Sequence, residues 1–448
     1  MSEIPHKLFL ASAGTGKTYK LAVQFVGLLM KGVEPERILA TTFTRKAAGE
    51  ILDRVLSHLV EAIEDEKKLT ELQRELRSED VEVSRESCVA LLAKLTRALG
   101  QLKVKTLDAF FASVAKVYAL DLGLPPDWAI VDEVTANDLK SDAIARMLSE
   151  DKEDQWALLL RQLSSAAPRG VHEAILKTVS DCQDAFVESD PRAWGSVKTP
   201  AWVLGEEELA SALKELGEAP TPLKKDGTPN VTFQKAVKKV VAELTVGRGL
   251  SLLDSKLVES SLAETNKFGG KSFEEDFVAP MFLVARHIGA LAVDRTVQKN
   301  SATYGFLELF GFAHEVLQSE ESSYRFEDLP QRLAAKDGID PLTQAGYDLW
   351  YRIDGRVDHL LLDEFQDTSP VQYRILERII EEILADGTGE RSLFCVGDVK
   401  QSIYGFREAD PRLLGQLSDR LPILKEVEET LEKSWRSSPV VLGMVNSV

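Results

Sequence analysis

The sequence predicts an α/β fold: a parallel sheet that carries its ligand at the C-terminal ends of the strands, interrupted by a large, mostly helical inserted domain. Three observations predict it. Several short apolar runs each end in a polar loop, and helical patterns separate them, as parallel sheets require. One run, Leu8-Phe9-Leu10, opens into the glycine-rich loop Ala11-Ser12-Ala13-Gly14-Thr15-Gly16-Lys17-Thr18 and then a helical pattern from Tyr19 to Met30. Another run, Leu360-Leu361-Leu362, ends in the paired acids Asp363 and Glu364, where α/β sheets place their ligands.

Length and composition allow this fold. A chain of 448 residues can hold two or three domains and a large core. Hydrophobic content of 44 % and charged content of 28 % are those of a globular protein. No apolar run is read as approaching a membrane span, and the polar Met1 to Lys7 stretch resembles no secretory signal, so no membrane contact is expected. Cys88, Cys182 and Cys395 are too scattered for a disulfide or metal pattern, which makes a reducing, cytoplasmic compartment the expectation. The net charge of −18 excludes a uniformly basic surface but not a local basic groove for nucleic acid.

Taken in order, Arg37 to Thr42 reads as a second strand entering a helix, with Phe43, Thr44 and Arg45 at its end. Those residues could grip single-stranded nucleic acid by stacking and phosphate contacts; taken alone, Thr44 is more simply a helix cap beside solvated cations. Residues 52–100 are helical by spacing, with a break near Ser78 to Ser84. Lys103 to Phe111 is strand to helix, capped by Thr106 or Asp108. The insert is read over 119–300, with turn-rich breaks at 122–127, 218–230 and 265–272. Trp156, Trp194 and Trp202 in it are expected to pack rather than to stack on bases. Separate helices are expected at Tyr304 to Leu317 and Phe326 to Leu333, with Leu349 to Ile353 leading into the Leu360 strand. A helix starts at Pro370, Leu393 to Val396 is a buried strand, and Ile423 to Val427 is read as one more.

The chemistry follows from the loop and the acids. Glycines let backbone N–H groups turn toward phosphate oxygens, and the helix N-terminus adds its dipole. In such a setting Lys17 reaches the β- and γ-phosphates of ATP and Thr18 holds Mg²⁺. Asp363 is then expected to hold the same metal, and Glu364 to orient and deprotonate the attacking water.

These stretches, together with Thr41 to Ala48, Val396 to Arg407 and Ser434 to Ser437, occur in an order that resembles the N-terminal half of a superfamily 1 helicase of the UvrD/Rep type. The style is nearest to the RecB and AddA helicase-nuclease subunits. The resemblance implies a RecA-like P-loop NTPase sheet: 1–118 and 301–448 form the first RecA-like domain, and 119–300 is the insert. It implies that Gln401 senses the γ-phosphate, that Arg436 stabilises charge during transfer, and that Trp435 stands where the family stacks a Tyr on adenine. Phe43, Arg45, Thr106, Tyr404, Phe406 and Arg407 become contacts for single-stranded DNA, while Gln366 and Asp367 join the DNA- and nucleotide-binding regions. The implied activity is ATP-dependent 3′–5′ DNA translocation or unwinding at DNA ends, in recombination and repair.

Two departures qualify that expectation. No Gln precedes the loop to read adenine, and the chain stops where a second RecA-like domain would begin. A partner is therefore expected, either a second helicase-nuclease subunit or a polypeptide supplying that domain. The isolated chain is expected to bind ATP–Mg²⁺ but to hydrolyse it poorly. Two other readings stand beside the helicase: a non-catalytic nucleotide switch within a DNA-processing complex, and a P-loop ATPase unrelated to DNA.

Overall fold

The computed structural model describes residues 4–12, 14–77, 81–149, 171–223, 227–334, 357–403, 405, 409–431, 433, 435, 438 and 444. Among these the strands are β1 (Lys7–Ala11), β2 (Ile38–Thr42), β3 (Lys103–Thr106), β4 (Ala129–Ile130), β5 (Lys267–Phe268), β6 (Lys271–Ser272), β7 (Ser323–Tyr324), β8 (His359–Leu362), β9 (Ser392–Gly397) and β10 (Glu428–Leu431). Two compact units result: Met1–Ala136 with Gln318–Val448, and Asn137–Leu317.

The first unit is built on a six-stranded parallel sheet in the order β10-β1-β9-β8-β2-β3. Its central strands are apolar through most of their length, with polar residues such as Lys7, His359, Ser392 and Thr42 at their ends, because helices cover both faces. Leu8, Leu39, Leu360, Leu362, Leu393 and Cys395 point to one side, against the helices Leu107–Val117 and Pro370–Leu384. Phe9, Ile38, Ala40, Leu361, Phe394 and Val396 point to the other, against helices α1 (Lys17–Met30) and α2 (Arg45–Glu64). This is the expected α/β class with a parallel sheet. The Pro370 helix starts with a capping box between Ser369 and Gln372, with proline in its first turn.

The entry ends of β8 and β9 hold a buried polar group. Arg391 donates to Asp358 and to Glu382, and Asp358 also takes a bond from Arg37. Beside them His359 shares a 2.9 Å hydrogen bond with Ser392. Burial holds the His359 ring down to about 4, against an ordinary value of 6.5, outweighing the opposing pull of Asp358. The unfolded chain therefore takes up a proton first as pH falls. The stability from the neutral ring is complete above about pH 6.5 and is lost progressively toward pH 4, roughly 3 kcal/mol in all. Urea midpoints of the protein and of His359→Asn between pH 7 and 4 check this; an identical acid slope in the variant refutes it.

Four expectations change. The last strand is not Ile423 to Val427: Pro422–Glu426 is a 3₁₀ turn that buries Leu424, and the strand is Glu428–Leu431 on the sheet edge. Tyr304 to Leu317 is not a separate helix but continues Glu275–Glu320, since no glycine or proline interrupts the chain between Lys299 and Tyr304. That helix also has an 18-residue stretch of mean hydropathy 1.5, long and apolar enough to cross a membrane by length and composition, contrary to the sequence reading. Its Phe277, Met281, Val284, Ala285 and Ile288 are nevertheless core residues of the second unit. Finally, Trp202 is 54 % exposed, with the Arg286 guanidinium 3.8 Å from its ring centre.

The second unit is helical. One core joins Phe233, Val237 and Val240 to that long helix, and another joins Ile144, Met147 and Val179 to Phe306 and Phe310. Trp194 packs in it against Phe186 and Tyr304. The break at 265–272 is the β5–β6 hairpin, which turns on Gly269 and Gly270, both at positive φ. The compact units divide at 136/137 and 317/318: Leu122, Leu124 and Trp128 pack into the core of the sheet unit, and Phe306 and Phe310 into a core of the helical one. Trp156 and Leu349 to Ile353 lie outside the described residues.

Candidate functional site

β1 ends at Ala11, and the chain turns through the glycine-rich loop into α1. Gly14 and Gly16 have φ of 75° and 90°, conformations that residues with a Cβ rarely adopt. Thr15 closes the turn, its hydroxyl donating to the Ser12 carbonyl at 2.8 Å. The Lys17 side chain, 8 % exposed, is brought to the exits of β8 and β9. Its Nζ pairs with Glu364 Oε2 at 2.7 Å and donates to Gln401 Oε1 at 3.4 Å. Thr18 Oγ1 donates to Asp363 Oδ2 at 3.4 Å.

Glu364 has left-handed backbone geometry, φ 53° and ψ 42°, the rare conformation of a non-glycine residue that clusters at functional sites. Asp363 caps this turn by accepting from the Glu364 N–H at 3.1 Å. Burial, and then the Glu364 charge, push the Asp363 carboxyl up to about 7 against the pull of Lys17. Burial and Glu364 likewise raise Asp367 to about 6. Burial, with a smaller push from Asp363, raises the Cys395 thiol well above its ordinary range, which leaves it an inert core group.

Thr18 and Asp363 present two oxygen donors side by side, and the nearby Lys17 charge does not offset the burial of Asp363. That donor set suits a hard divalent cation such as Mg²⁺, which keeps most of its ligands as water and phosphate oxygens. Among the described residues no group of three or more His, Cys, Asp or Glu side chains forms a protein-only metal cage.

The other expected site residues divide. Ala11, Ser12, Gly14, Thr15, Gly16, Lys17, Thr18, Asp363, Glu364 and Gln401 come together at the exits of β1, β8 and β9. Trp435 joins them: its backbone N–H donates to the Gly14 carbonyl at 2.8 Å, and its ring, 71 % exposed, lies 3.7 Å from Lys433 Nζ. Phe43 is half-buried and Arg45 exposed where β2 leaves the sheet, with Thr44 capping α2 through Ala47 N–H. Thr106 ends β3 beside Thr42 and caps the next helix through Ala109 N–H. Ala13, Tyr404, Phe406, Arg407 and Arg436 lie outside the described residues.

Sequence reasoning missed Asp398. It follows β9 as Asp363 follows β8, caps the next turn through Lys400 N–H, and accepts from Gln401 Nε2. The signal available was the acid immediately after a buried apolar strand.

A family model described as the UvrD/REP helicase N-terminal domain matches residues 5–422. Curated relatives named as ATP-dependent helicase/nuclease subunits include those of Streptococcus equi subsp. zooepidemicus, 24 % identical over 483 residues, and Pediococcus pentosaceus, 26 % identical over 489. The relative from Streptococcus mutans serotype c is 25 % identical over 489 residues. Each alignment covers 98 % of this chain and 37 % of the relative, so the chain spans a little over a third of their length.

Proposed function

The chain belongs to the UvrD/REP helicase N-terminal domain family, and from that premise we propose that it is the ATP- and single-stranded-DNA-binding portion of an ATP-dependent DNA helicase or translocase. The reading includes a 3′–5′ direction, a role in DNA recombination and repair, and a cytoplasmic location. One observation carries it: Lys17, Thr18, Asp363, Glu364 and Gln401 converge where three parallel strands end.

In this reading Lys17 exchanges its two protein partners for the β- and γ-phosphate oxygens of ATP. Thr18 and Asp363 hold Mg²⁺, which neutralises phosphate charge when bound. Glu364, released from Lys17, accepts the proton of the attacking water, and Gln401 turns its amide to the γ-phosphate. Trp435 offers its exposed ring to adenine, and Arg436 stabilises charge as the phosphoryl group transfers. Phe43, Arg45, Thr106, Tyr404, Phe406 and Arg407 form the path of the DNA strand, with base–aromatic stacking of about 1–3 kcal/mol per base. A second RecA-like domain, on a further stretch of polypeptide or on a separate protein, closes the cleft from the other side.

The test is the rate of ATP hydrolysis with and without single-stranded DNA, for the protein and for Glu364→Gln. Stimulation by DNA that the substitution abolishes supports the helicase reading. Nucleotide binding with no turnover points instead to a switch within a complex, and turnover indifferent to DNA removes DNA from the function.

A further inference from the structure

β10 leaves the sheet beside the glycine-rich loop, because Leu431 pairs with Ala11, the last residue of β1. Two residues further on stands Lys433, and two beyond it Trp435, whose backbone N–H donates to the Gly14 carbonyl at 2.8 Å. The tryptophan is thus anchored at the rim of the loop through its backbone, while the residue stays 71 % exposed. So open an indole is uncommon, because tryptophan is highly buried on average. One face of the ring is nevertheless occupied. Lys433 Nζ lies 3.7 Å from the ring centre, and among the described residues no carboxylate pairs with that ammonium. Residues two apart share a face of an extended chain, the spacing that lets this lysine reach this ring. The negative face of the indole attracts the cation. Stacked ring atoms lie about 3.5–4.0 Å apart, so the ammonium stands where the plane of a stacked base would lie. Lysine and base cannot share that face.

We propose that Lys433 sets how strongly the nucleotide base is held: it covers the stacking face of Trp435 in the free chain and gives that face up when a base binds. The inference rests on the reading given under Proposed function, in which Trp435 takes the adenine. A base stacked on an aromatic ring gains more than an exposed ammonium over the same ring does, so the base wins the face and the lysine returns to water. What the base contributes to binding is then its stacking less the lysine contact it displaces. The triphosphate, which Lys17 holds in that reading, reaches its place without touching the ring. Lys433 therefore weakens the hold on the base and leaves the hold on the phosphates as it is.

The test compares ATP with inorganic tripolyphosphate, which has the phosphates and no base. Each displaces a fluorescent ATP analogue in the presence of Mg²⁺, for the protein, Lys433→Ala, Lys433→Arg, Trp435→Ala and the double variant Lys433→Ala, Trp435→Ala. The quantity read is the tripolyphosphate Kd divided by the ATP Kd, which cancels any effect of the lysine charge on the phosphates. Lys433→Ala is expected to raise that ratio about two- to fivefold, which corresponds to a contact of about 0.5–1 kcal/mol. Lys433→Arg leaves the ratio unchanged or lowers it, because a guanidinium also stacks on aromatic faces. With alanine at 435, removing the lysine has no effect on the ratio. A ratio unchanged in Lys433→Ala overturns the proposal, including the case in which both ligands weaken together because the lysine holds phosphate. A ratio that falls overturns it too, since the lysine would then support the base. So does a rise that Lys433→Arg matches or that persists with alanine at 435. All of these leave the proposed function standing; a protein that binds neither ATP nor tripolyphosphate overturns both.

Discussion

Lys17→Ala is expected to weaken ATP–Mg²⁺ binding by at least about a hundredfold, whereas Glu364→Gln strengthens it. The lysine is the one buried cation at the end of the glycine-rich loop, and each charge-assisted bond it makes to phosphate contributes about 1.5–3 kcal/mol. Two such bonds amount to at least about 3 kcal/mol, or roughly two powers of ten or more in Kd. Glu364 acts in the opposite direction before the nucleotide arrives. Its carboxylate sits 2.7 Å from Lys17 Nζ, so phosphate must displace it, and its charge repels the γ-phosphate. Glutamine removes the competing ion pair and the repulsion while keeping the side chain's shape. Titration with a fluorescent ATP analogue reads both effects. Equal losses in the two variants would mean that Glu364 supports binding rather than opposing it.

Arg391→Met is expected to destabilise the sheet unit by about 3 kcal/mol, a fall in Tm of roughly 6–12 °C. Arg391 is 5 % exposed and holds Asp358, itself buried, together with the Glu382 side chain. Removing the guanidinium takes from the Asp358 carboxylate its buried cation; the Arg37 side chain that also pairs with it is far more exposed. Taking the buried cation away from a buried carboxylate costs more than the ion pair contributed, so the double variant Arg391→Met, Asp358→Leu should recover most of the loss. Thermal melts of the single and double variants decide it; a double variant no more stable than the single one refutes the account.

The parts of this fold that could be read in the sequence are those whose signal is local. β1, β2, β8 and β9 stand out because strands buried on both faces must be apolar along their length. β10 does not, because an edge strand reading Glu-Glu-Thr-Leu and largely exposed carries no apolar pattern; its place is set by pairing with β1. The turn 265–272 was legible from its two glycines, but the continuity of Glu275–Glu320 was not, since a polar stretch on an exposed helix face looks like a break. Trp202 misled for a related reason: composition favours burial for tryptophan, and only the position of Arg286 decides that it lies at the surface under a guanidinium.

The candidate site divides along the same line. The glycine-rich loop, Lys17, Thr18 and the Asp363-Glu364 pair are determined by sequence alone, because each is a contiguous motif whose backbone geometry follows from its own glycines and its own strand exit. What those residues touch is not contiguous. The Lys17–Glu364 ion pair, the link from Gln366 to Asp398 and the docking of Trp435 on Gly14 join segments far apart in the chain. The parallel register of β1, β9 and β8 brings those three exits side by side, and only that register turns separate motifs into one hydrogen-bonded site.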